Sequence, residues 1–104
     1  MLTRNDDNIQ ELLDGNTHVV VQFGASWCVP CKQLKPKVEK ISLENPDVVF
    51  SYIDIEAAPD FTLRSKVMGV PTTVGYRNGI EIGRVVGNSE SSVKELVEKV
   101  RSKL

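Results

Sequence analysis

The chain has 104 residues, 40% of them hydrophobic, and a formal net charge of −1. That size and composition suit one domain over residues 1–104 with a real core, and leave no room for a second. The near-neutral balance gives no electrostatic basis for binding nucleic acid or an anionic membrane, and no apolar run approaches the roughly 18–20 residues that span a bilayer.

The N-terminus turns acidic at Asp6-Asp7 and has no apolar stretch of the signal-peptide kind, which predicts a cytoplasmic chain. From Asn5 to Asp14, Ile9, Leu12 and Leu13 recur at helical spacing behind acids and amides, and Gly15 follows as the expected C-cap of a short amphipathic helix. His18 to Phe23 is a β-branched run that suits a buried, parallel strand. From Cys28 to Leu43 the residues Leu34, Val38 and Ile41 predict a helix that continues through Pro36 with a kink.

Val48 to Asp54 reads as a second buried strand, and Pro59 to Met68 as a weaker helix carrying Phe61, Leu63 and Val67. Thr72 to Arg77 and Ile80 to Val86 read as strands joined by Asn78-Gly79, a dipeptide suited to the positive φ values of a type I′ turn. A last helix carries Val93, Leu96, Val97, Val100 and Leu104, with a capping box expected at Ser92 and Glu95 and an ion pair from Glu95 to Lys99. The order α-β-α-β-α-β-β-α predicts an α/β domain with a mixed sheet and helices on both faces.

Only two cysteines occur, Cys28 and Cys31, and they form one Cys-x-x-Cys. A bridge that closes so small a loop does little to restrict an unfolded chain, so the pair is there for chemistry. It lies between a strand and its following helix, where the free N–H groups of a helix start favour a thiolate, the nucleophilic form of cysteine. Cys31, one turn further on, is placed to attack a mixed disulfide on Cys28, and Pro30 is tolerated in a first turn that has no N–H partner to lose.

These residues resemble the thioredoxin family over nearly the whole chain. Val20 to Lys32 matches its active-site segment, Pro36 its helix proline, Gly69-Val70-Pro71-Thr72 its cis-proline loop, Asn78-Gly79 its hairpin turn, and Gly87 its groove glycine. The resemblance implies a thioredoxin fold, with four to five strands flanked by about four helices. It also implies a protein-disulfide reductase working through the Cys28–Cys31 disulfide, with no bound cofactor or metal. Pro71 would be cis, the backbone of Val70 would pair with an extended substrate segment, and Trp27, Val29, Pro30, Val70 and Val86 would form an apolar rim, with Gly87 beside it. The partners implied are proteins with exposed disulfides and a flavin-containing, NADPH-dependent thioredoxin reductase, met by a monomer.

Two departures stand out. Val29-Pro30 replaces the family's usual Gly-Pro, which stiffens the loop and adds no thiolate-stabilising charge, favouring a reducing protein. Gln22 stands where the family buries an aspartate, and the usual lysine partner, aligned with the region of Phe50, is missing too. Glutamine cannot accept a proton at neutral pH, so resolution of the mixed disulfide is expected to be slow, unless Gln22 simply satisfies buried backbone groups. Lys32 either favours the thiolate or is a solvated lysine. A disulfide oxidase or isomerase on the same fold is separated from a reductase by its reduction potential, and a non-catalytic binding subunit by survival of binding in Cys28→Ser. A zinc site would need about four ligands, and His18 is the only further Cys or His.

Overall fold

Residues that crowd their own backbone in a helix favour extended chain, and the strands lie where Val, Ile, Phe and Tyr run together. The computed structural model describes residues 1–102. It runs through β1 (Leu2–Arg4), α1 (Ile9–Gly15), β2 (His18–Gly24), α2 (Val29–Glu44), β3 (Val49–Asp54), α3 (Pro59–Arg64), β4 (Thr72–Arg77), β5 (Ile80–Val86) and α4 (Glu90–Arg101). The five strands form one sheet in the order β1-β3-β2-β4-β5. The pairs β1–β3 and β2–β3 are parallel, whereas β2–β4 and β4–β5 are antiparallel. The resemblance implied four to five strands and about four helices, and the sheet has five with four helices around it.

Alternation along β2 divides the core. Val19, Val21 and Phe23 pack with Ile9, Leu12 and Leu13 of α1 and Phe61 of α3, whose ring stacks on Phe23 at 5.5 Å. Val20 faces the other way and packs with Leu34, Val38 and Ile41 of α2 and Val93, Val97 and Val100 of α4. Gly75 of β4 lies under α4, where a Cβ would come within 2.6 Å of Val100 Cγ2, so a bare backbone is what lets this helix sit close.

Several boundaries depart from the expected ones. β1 was not expected; it is a three-residue strand added along the free edge of β3. α1 starts at Ile9 because Asn5 Oδ1 accepts the Asp7 N–H at 2.9 Å, a side-chain turn that competes with helix. Gly15 stays inside α1, and the C-cap is Asn16, whose Nδ2 donates to Leu12 O at 2.9 Å. α2 runs without a break through Pro36.

α3 stops at Arg64, short of Met68, in a turn where Lys66 takes φ 56°. Its N-terminal cap comes from far upstream: Asp6 Oδ1 accepts from Phe61 N at 2.8 Å and Oδ2 from Asp60 N at 3.1 Å. The hairpin turn has the expected positive φ, 54° at Asn78 and 77° at Gly79. α4 is capped by Ser89, which accepts from Ser92 N, and its i, i+4 ion pair is Glu90–Lys94 at 3.9 Å in place of the expected Ser92 cap and Glu95–Lys99 pair. Leu104 lies outside the described residues.

Candidate active site

β2 ends at Gly24, and four residues later Cys28 becomes the N-cap of α2, extended at φ −94° and ψ 105°. Its Sγ accepts the Cys31 N–H at 3.2 Å, and its carbonyl accepts the Lys32 N–H at 3.2 Å. The sulfur therefore occupies the position that a serine or aspartate oxygen takes in an ordinary cap. Cys28 and Cys31 are joined as a disulfide with their Cα atoms 5.3 Å apart. Cys31 is wholly buried and Cys28 is 5% exposed, so Cys28 is the cysteine with access to solvent.

Ala25, Ile55 and Val70 pack against the two cysteines. Ala25 and Ile55 had no distinguishing sequence signal, since an alanine after a strand and an isoleucine after an acidic residue have many ordinary uses. The Val70–Pro71 peptide bond is cis, Pro71 is buried, and Pro71 O accepts the Gly87 N–H at 2.9 Å. Gly87 has φ 109°, a conformation that side chains rarely adopt, so glycine serves that backbone contact. Trp27, Val29 and Val86 are 64%, 61% and 75% exposed, large values for apolar side chains, and Pro30 and Lys32 are exposed as well.

Gln22 is fully buried on the α2 side of the sheet. Its Nε2 donates to Cys31 O at 3.4 Å, while its Oε1 and the Oγ1 of buried Thr73 have no hydrogen-bond partner among the described residues. The register sets Gln22 between Tyr52 on β3 and Thr73 on β4. The position beside it thus belongs to Tyr52; Phe50, which the alignment suggested, lies opposite Val20. Lys35 Nζ lies 4.3 Å from the centre of the Tyr52 ring, and burial pushes the Tyr52 hydroxyl above its usual pKa, with Asp54 adding to the rise. His18 opens β2 at the end away from Gly24, about 20 Å distant by strand rise. Among the described residues no group of three His, Cys, Asp or Glu side chains is arranged to hold a metal ion, and no helix is long and apolar enough to cross a membrane.

A cysteine pair at a helix N-terminus carries two electrons as a dithiol, gives them up on closing its disulfide, and trades them by sulfur-to-sulfur exchange. On this fold that chemistry defines the class, a thiol–disulfide oxidoreductase. The thioredoxin profile matches residues 1–102. Thioredoxin of Echinococcus granulosus is 36% identical over 92 residues, 88% of this chain and 86% of that protein. Thioredoxin-2 of Saccharomyces cerevisiae is 35% identical over 86 residues, 83% of each. The structure of Fasciola hepatica thioredoxin superposes with a TM-score of 0.90 at 29% identity, over 95% of this chain and 98% of that one. The chain belongs to the thioredoxin family, whose members reduce protein disulfides and are themselves reduced by thioredoxin reductase.

Proposed function

We propose that Cys28 is the attacking thiol and Cys31 the resolving one. The carrying observation is that Cys28 Sγ, the more exposed sulfur, sits where the Cys31 N–H reaches it at 3.2 Å. In the reduced protein that donor and the helix dipole favour a thiolate on Cys28. The thiolate attacks one sulfur of a substrate disulfide, forms a mixed disulfide and expels the other substrate sulfur as a thiolate. Cys31 then loses its proton and attacks Cys28 Sγ, forming the Cys28–Cys31 bond and releasing the second substrate thiolate. Two electrons have passed to the substrate, and its two thiolates take up protons from water.

Val70 presents its backbone to an extended segment of the substrate beside Pro71, and Trp27, Val29, Pro30 and Val86 supply an apolar rim with Gly87 at its edge. The exposure of four apolar rim residues supports this reading, since large apolar side chains left in water mark contact surfaces. Gln22 modulates the resolving step from beneath, and exposed Lys32 adds a screened positive charge near the sulfurs. The partners are proteins with accessible disulfides and an NADPH-dependent thioredoxin reductase, met by a monomer in the reducing cytoplasm.

Cys31→Ser, mixed with an excess of a disulfide-bonded protein, is expected to accumulate a covalent adduct through Cys28 that dithiothreitol dissolves. Cys28→Ser is expected to form none. An adduct of equal yield in Cys28→Ser would reverse the roles, and absence of any adduct in Cys31→Ser would refute the scheme.

A further inference from the structure

α3 ends without a glycine. Lys66 adopts the left-handed conformation at φ 56°, its N–H donates to Leu63 O at 3.0 Å, and the Val67 N–H reaches back to Thr62 O at 3.3 Å. This closes the helix in the manner of a Schellman turn. The next carbonyls, of Ser65 and Lys66, are both taken by one side chain from the edge strand β5. Arg84 Nη2 donates to Ser65 O at 2.8 Å and Nη1 to Lys66 O at 3.3 Å. Glu81 holds the rest of the guanidinium, with Nε to Oε2 and Nη2 to Oε1 both at 2.7 Å.

An exposed Arg–Glu pair alone contributes little. Arg84 matters for where the carbonyls lead. Beyond Lys66 the chain passes through Val67, Met68 and Gly69 to Val70 and Pro71. The far end of that segment is fixed: Thr72 Oγ1 donates to Gly69 O at 2.7 Å and the Gly87 N–H to Pro71 O at 2.9 Å. Between the two anchors Met68 is 96% exposed. Arg84 lies opposite Val74 on β5, and Val86, two residues on and opposite Thr72, shares its side of the strand. One edge strand thus carries the anchor for the start of the segment and an apolar side chain beside its end.

We propose that Arg84 is a positioning residue for polypeptide substrates: by holding the Ser65 and Lys66 carbonyls it fixes the approach of residues 67–69 and so the height at which Val70 meets a substrate backbone. This rests on the reading that Val70 pairs with substrate. Lysine is no substitute, because one ammonium cannot serve Glu81 and two carbonyls in the planar fork that the guanidinium supplies.

The test compares two substrates of the intact chain: a disulfide-bonded protein, and the small aromatic disulfide 5,5′-dithiobis(2-nitrobenzoate), which has no backbone to pair. Arg84→Met keeps the aliphatic stem and removes every donor. It is expected to raise KM for the protein disulfide by about fivefold, part of the value of the two charge-assisted bonds, with kcat nearly unchanged. Its rate with the small disulfide is expected to match that of the parent, and hydrogen exchange at the Val67 amide to accelerate. Arg84→Lys is expected to fall between the two and serves if Arg84→Met does not fold. An unchanged KM in both variants, or an equal loss with both substrates, overturns the proposal. If the parent itself binds the protein disulfide no better than the small one, the pairing at Val70 fails and takes the proposal with it. Faster exchange at Val67 in the variant then traces that failure to the pairing and not to the hold of Arg84 on the segment.

Discussion

Aspartate in place of Gln22 would put a titratable group under the resolving sulfur. The site is fully buried, so burial sets the main cost of charging the new carboxylate, and Lys35, over the ring of neighbouring Tyr52, is a cation placed to lessen it. Burial of this kind raises a carboxyl pKa by up to about 3–5 units, and a rise of about 3 units brings the group near pH 7. Each unit corresponds to about 1.4 kcal/mol, so the fold would lose about 4 kcal/mol once the pH exceeds the folded-state value. Below about pH 4 the carboxyl is protonated in both folded and unfolded chains and this penalty vanishes; it grows from about pH 4 to about pH 7 and is constant above. The lost Nε2 contact to Cys31 O adds little, because at 3.4 Å it is long for a hydrogen bond.

A base of matched pKa close to Cys31 would take its proton during resolution, an effect of about 10²-fold at the low end for general-base catalysis. Stopped-flow mixing of reduced protein with a disulfide peptide, followed through Trp27, the only tryptophan, measures this step. Gln22→Asp is expected to resolve the mixed disulfide about 10²-fold faster at about pH 7. No acceleration anywhere between about pH 6 and about pH 9 in a folded variant would rule out proton transfer from Cys31 to the carboxylate. Equal stability at about pH 4 and about pH 8 would mean that burial does not raise the pKa of the carboxyl.

Asp6→Ala removes both acceptors from the first turn of α3, where Ala58 at the cap position has no side chain to replace them. It is expected to cost about 1 kcal/mol in urea denaturation, with Asp6→Asn, which keeps one of the two acceptors, falling between it and the parent; a cost below about 0.3 kcal/mol for Asp6→Ala would count against the cap. Tyr76 is buried, and that burial pushes its hydroxyl up to about 12. Since an unfolded tyrosine ionises near pH 10, stability is expected to fall between about pH 10 and about pH 12, by about 2–3 kcal/mol in all. Tyr76→Phe is expected to flatten that decline, and an unchanged slope would assign it to other groups.

Long periodic segments were legible in the sequence because their residues answer to one packing surface. α2 and α4 carry apolar residues at helical spacing, and Asn78-Gly79 joins two strands through backbone angles that few other pairs adopt readily. β1 was not legible, since a three-residue edge strand with exposed Leu2 and Thr3 follows from the free edge of β3 and not from its own side chains. The end of α3 was missed for a related reason: Lys66 takes a glycine-like conformation that tertiary contacts, including those of Arg84, impose. In the site, the cysteine spacing pointed to the chemistry directly. The contact of Gln22 with Cys31 and the packing of Ile55 on the sulfurs depend on register, and the bonds of Arg84 end on backbone carbonyls, which leave no mark in a sequence.

Cys28 gives one atom two duties, closing a helix and carrying electrons. Folding and oxidation therefore form a thermodynamic square around that sulfur. Any preference of the folded chain for the thiolate over the bridged sulfur at this cap reappears as a displacement of the redox couple from its position in the unfolded chain, by about 30 mV for each 1.4 kcal/mol. The same quantity is the difference in unfolding free energy between the oxidised and reduced proteins. A substitution that only loosens the first turn of α2, without touching either cysteine, thereby retunes the electron affinity of the pair.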